Sequence, residues 1–73
     1  MEDLIKLSAS DLSKVEDDRL VHGIRTAHNA MERGPEWAGK FIAQLKQRHS
    51  WSELVTLTGL PQTTLHRWAQ PFL

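Results

Sequence analysis

A chain of 73 residues with 40% hydrophobic and 25% charged residues has the size and composition of one small soluble globular domain. The absence of cysteine excludes disulfides, thiolate zinc sites and cysteine nucleophiles together, and no apolar run approaches the ~18 residues of a membrane span. A formal net charge of zero excludes a uniformly basic surface, so a polyanionic partner would have to be met by a local patch.

The opening stretch, MEDLIKLSAS, lacks the basic start and apolar run of a signal peptide, so a cytoplasmic setting is expected. Within residues 1–14, Leu4, Ile5, Leu7 and Leu12 are apolar, and Ser8 or Ser10 is placed to cap a short turn over 11–14. A partly ordered arm is the equal alternative. Residues 15–34 read as a helix. Leu20, Ile24, Ala27 and Met31 fall at helical spacing, with Val21 and His28 flanking the stripe. Glu16, Asp17 and Asp18 lie at its start, where the helix dipole favours anions, and Gly34-Pro35 ends it. Gly23 costs on the order of 1 kcal/mol against alanine inside a helix, which marks it as a candidate for close helix–helix approach.

Pro35 suits the first turn of a third helix. Trp37, Phe41, Ile42 and Leu45 form its apolar face, and the helix is expected to run to about His49. Ser50-Trp51-Ser52-Glu53 then has the form of a capping box and starts a helix whose buried side is Leu54, Val55 and Leu57. Gly59 breaks that helix, Pro61 starts the last one, Leu65 and Trp68 face inward, and Pro71 stops it. No strand-like alternation appears, so the expected fold is all-α: a small bundle of four or five helices, with residues 35–73 as a tri-helical core behind the helix of 15–34 and the arm of 1–14.

Two short helices joined by a short glycine-containing turn, with a buried residue on either side, make a helix-turn-helix. Gly59 can take the left-handed conformation of the sharp turn, Leu60 can plug the corner, and Trp68 can fill the space near Phe41 or Leu45. At these residues the stretch ELVTLTGLPQTTLHR resembles the helix-turn-helix of bacterial transcription regulators. Gly59-Leu60-Pro61, Thr64, Leu65 and Arg67 are similar to the N-terminal segment of IclR-type regulators. Ser50-Trp51, Glu53 and the Leu54-Val55 pair resemble the leading helix of sigma-factor-type and resolvase-type units. The resemblance covers residues 50–70, with 35–49 as the supporting helix and no wing.

The resemblance implies that the last helix, about 61–70, is a recognition helix entering the major groove of double-stranded DNA while the preceding helix crosses the backbone. On its outward arc Gln62 suits an adenine edge, and Arg67 suits guanine O6 and N7 or a phosphate. His66 suits a base or a phosphate, and Thr63 and Thr64 suit phosphate or a thymine methyl. Ser52 at the start of the preceding helix would meet a phosphate, and Lys46 and Arg48 would add backbone contacts. The charge distribution agrees in direction. Residues 1–34 carry five basic and seven acidic groups, and residues 35–73 carry four basic and two acidic, so the C-terminal half is positive by two.

One helix-turn-helix neutralises few phosphates and binds weakly, so a homodimer is expected, with Leu20, Ile24 and Met31 as the dimer or partner surface. No two histidines are spaced i, i+4, so no metal is expected, and no cofactor or small-molecule substrate either. No nucleophile–base pair, phosphate loop or carboxylate pair is present, so the chain reads as a non-enzyme. The alternative function is a protein-interaction adaptor that binds RNA polymerase, a sigma factor or another regulator.

Overall fold

The computed structural model describes residues 9–30 and 35–73. Among them the chain is all-helical, with five α-helices: α1 (Ala9–Leu12), α2 (Asp17–Ala30), α3 (Glu36–Lys46), α4 (Trp51–Thr58) and α5 (Gln62–Ala69). A single 3-10 turn, Gln70–Phe72, follows α5. None of the described helices is long and apolar enough to cross a membrane.

The apolar stripes of these helices meet in one core. Leu12, Leu20, Ile24, Phe41, Ile42, Leu45, Leu54, Leu60, Leu65 and Ala69 form a single buried cluster, with Trp37, Trp51, Val55 and Trp68 packed half-buried around it. Helix α3 is the centre, touching every other element. That is why its buried residues include Ala38 and Gly39 beside the large Phe41, Ile42 and Leu45. At Gly39 the approach is close: an added Cβ would run into the Trp68 carbonyl and the Phe72 ring. Gly23, the glycine expected at a close approach, is also buried.

Leu20 and Ile24 are fully buried within the chain's own core. They are therefore not a dimer or partner surface: α2 turns its apolar stripe onto α3 and α4 rather than outward. Met31, the third residue of that expected surface, lies outside the described residues, as does Gly34. Of the expected arm, residues 1–8 lie outside the described residues. Leu12 is only 2% exposed, so the α1 segment inserts its leucine into the core.

The corner between α4 and α5 follows the local signals. Ser50 accepts a hydrogen bond from the Glu53 amide, and the Glu53 carboxylate accepts from the Ser50 amide, which completes the capping box. Gly59 ends α4 in the left-handed region with φ 72°, a conformation open to glycine without a Cβ penalty. Leu60 plugs the corner at 6% exposure. Two details differ from the spacing argument. Leu57, expected inward, is exposed, and Thr58 is buried in its place. The Thr58 hydroxyl donates to the Leu54 carbonyl at 2.7 Å and accepts from the Leu60 amide at 3.2 Å, so the turn's polar groups are satisfied from inside.

Helix α3 also stops earlier than expected, at Lys46. The amides of Arg48 and His49 both reach the Leu45 carbonyl, at 2.9 Å. This tight turn aims the two side chains away from the helix axis.

Candidate nucleic-acid interface

Helix α5 has a buried side and an outward side, and its sequence sorts between them. Leu65 and Ala69 are buried and Trp68 is half-buried. Trp68 packs against the core cluster, with its carbonyl against Gly39 of α3 and its indole 6.0 Å from the His28 ring of α2. With these anchors inside, Gln62, Thr63, His66 and Arg67 are all exposed, and together with Gln70 they line one shallow concavity. Thr64 is half-buried at the edge of the arc. In a helix, residues four apart stand in one row, so Gln62, His66 and Gln70 form one row and Thr63 and Arg67 a second. Helix α5 carries no carboxylate, so the face presents amide, hydroxyl, imidazole and guanidinium groups without an opposing charge on its own helix.

The side chains expected on the flanks divide into two groups. Ser52 is exposed at the start of α4. Lys46 ends α3 with its ammonium 5.6 Å from the centre of the Trp51 indole ring. On the α5 side of that indole, the His66 ring lies 5.3 Å away at a 52° tilt.

Arg48 points the other way. One guanidinium nitrogen donates to the Val15 carbonyl at 2.8 Å and to Asp17 Oδ1 at 2.6 Å. The other donates to the carbonyls of Leu12 and Ser13 at 3.1 and 3.0 Å. A guanidinium engaged by four acceptors is not presented to a phosphate, so the expected backbone contact from Arg48 is withdrawn. Its role is to close the corner where α1 meets α2.

Beside it sits a group that residue patterns did not reveal. His49 Nε2 lies 2.7 Å from Asp17 Oδ2, and Nδ1 lies 3.1 Å from Glu53 Oε2. Ionised carboxylates only accept hydrogen bonds, so this geometry suits the imidazolium, which donates from both nitrogens. The Asp17 and Glu53 carboxylates accordingly hold His49 above its usual 6.5. In turn His49 and then Arg48 hold Asp17 below its usual 3.8, and His49 and then Ser50 hold Glu53 below its usual 4.5. The only sequence clue was a local one, the i, i+4 spacing of His49 and Glu53. Asp17 is 32 positions from His49, and no local pattern reports that distance.

Among the described residues no cluster of three histidine, cysteine or acidic side chains is arranged to hold a metal ion. Comparison with known proteins finds no family model, no curated protein and no solved structure that matches the chain.

Proposed function

We propose that the chain is a sequence-specific binder of double-stranded DNA, acting as a small bacterial transcriptional regulator in the cytoplasm, with α5 in the major groove. The observation that carries this reading is the arc of Gln62, Thr63, His66 and Arg67, exposed together on a helix whose opposite side is anchored by Leu65 and Ala69. A glycine-turned corner joins α4 to that helix, and the two pack against each other, which supports pairing a backbone-crossing helix with a reading helix. Gln62 and Arg67 have the hydrogen-bonding groups that distinguish adenine and guanine edges. The unit offers few cations, so tight binding calls for two copies on adjacent half-sites, joined through a surface other than Leu20 and Ile24.

The test is selection of DNA from a random pool at moderate salt, followed by titration of the selected site. Binding should weaken steeply as salt rises, Arg67→Ala should reduce it by about 1–3 kcal/mol, and Gln62→Ala should relax preference at one base pair more than it lowers affinity. Failure to enrich any sequence, with no salt-dependent binding to genomic fragments, would refute the reading.

One observation favours a second reading. Leu57 of α4 is 39% exposed beside a charge-neutral chain, which suits an adaptor for RNA polymerase, a sigma factor or another regulator. An adaptor would co-purify with such a protein, lose it on Leu57→Ser, and be indifferent to Arg67→Ala.

A further inference from the structure

Three cationic side chains follow closely at the end of α3: Lys46, Arg48 and His49. The last two are turned inward onto Asp17, Glu53 and the carbonyls around Ser13. Lys46 instead sets its ammonium over the half-buried indole of Trp51. His66, from the row of α5 shared with Gln62, rests beside the same indole. The two distances to the ring, 5.6 and 5.3 Å, bring an ammonium and an imidazole from different helices to one aromatic plate.

We infer that Lys46, Trp51 and His66 form a phosphate-binding flank of the α5 face, with His66 assigned to the nucleic-acid backbone rather than to a base. The assignment rests on the DNA reading given above and divides its residues: Gln62, Thr63 and Arg67 read, while His66 and Lys46 hold. An imidazole N–H donates to a phosphate oxygen in either protonation state, and an ammonium has three donors. The indole restrains both side chains before an anion arrives. Cation–π attraction acts on Lys46, and restraint reduces the ordering cost on binding.

The three helices that build this flank carry few carboxylates. Residues 35–73 contain only two side-chain carboxylates, Glu36 and Glu53. Glu53 is engaged by His49 and Ser50. Glu36 stands ten residues before Lys46 on α3, about 15 Å along the axis at the helical rise.

The experiment has two arms on the full chain. In the first, the free protein is titrated with inorganic phosphate near neutral pH and low salt, and the His66 ring protons and Trp51 indole N–H are followed by NMR. Both should move on one saturable curve while His22 and His28 stay still. Lys46→Ala should weaken that curve about two- to fivefold, the range of an exposed charge pair, and Trp51→Phe, which keeps a ring beside both groups, should hold it within about twofold. No movement at His66, or equal movement at His22 and His28, overturns the site.

In the second arm DNA binding is measured against salt. Lys46→Ala should lower the salt slope by about 1, and His66→Ala should weaken all sequences alike. A changed base preference in His66→Ala overturns the assignment. A phosphate response without any DNA binding would leave the anion site standing and remove the groove reading. DNA binding without a phosphate response would do the reverse.

Discussion

His49 Nε2 lies 2.7 Å from Asp17 Oδ2 across 32 positions of sequence, and the same ring reaches Glu53 with its other nitrogen. One imidazolium thereby ties the start of α2 to the first turn of α4. Stability should follow its protonation. His49 is held above its usual 6.5 by Asp17 and Glu53, so its contribution is complete below 6.5 and is lost as pH rises through the higher folded value. Asp17 and Glu53 are held below 3.8 and 4.5, so theirs is complete above 4.5 and is lost as pH falls through the lower folded values. The staple is therefore strongest between these limits. Urea midpoints measured from pH 3 to 9 should fall on both sides of that window. In His49→Gln the decline on the alkaline side should flatten.

Arg48 is predicted to matter for folding and not for binding. Arg48→Ala removes a charged donor from the carbonyls of Leu12, Ser13 and Val15 and from Asp17, and should cost about 1.5–3 kcal/mol. Arg48→Lys should recover little, because an ammonium lacks the planar fork that reaches several acceptors at once. Chemical denaturation measures the loss. The salt slope for DNA should be unchanged in whatever fraction remains folded.

Two glycines should fail for opposite reasons. Gly39→Ala adds a methyl where the Trp68 carbonyl and Phe72 ring already stand, and overpacking of this kind costs about 1–3 kcal/mol. That outweighs the gain of about 1 kcal/mol that alanine normally brings to a helix. Around Gly59 there is open space, and the cost is conformational: Gly59→Ala should lose about 1–2 kcal/mol at φ 72°. Gly59→Asn should lose less, since asparagine visits that region more readily, whereas Gly39→Asn should lose more than Gly39→Ala.

Thr58→Val keeps the side-chain shape but removes the hydroxyl that accepts from the Leu60 amide. A buried amide left without a partner costs about 1–3 kcal/mol. Thermal melts should show the loss, and Thr58→Ser, which keeps the hydroxyl, should retain more of the stability than the isosteric valine.

What the residues disclosed was local. Ser50 and Glu53 are three apart, Gly59 punctuates a short helix, and the apolar positions of α2 and α3 repeat at helical spacing, so the helices and the turn could be read directly. Periodicity gives a stripe but not its partner: Leu20 and Ile24 looked the same whether they met α3 or a second chain. Thr58 stands four residues after buried Leu54 and shares its face, while Leu57 lies about 100° away around the helix; reading by polarity rather than by spacing sent the leucine inward and the threonine outward. Arg48 looked like a surface cation because its acceptors lie 31 to 36 positions away. The polar arc of α5 was legible because the two anchors read from the sequence, Leu65 and Trp68, are on the same short helix; Ala69, which the structure buries more fully than Trp68, carried no signal of its own.

The corner closed by Arg48 has a bearing on α1 itself. A helix of four residues cannot repay nucleation on its own, yet its last residue and the one after it give their carbonyls to a guanidinium far along the chain. The coil-to-helix choice of Ala9–Leu12 is thus coupled both to the seating of Leu12 in the core and to residue 48. A peptide of these residues alone should be unstructured, and its conformation in the whole chain should report whether the distant corner has closed.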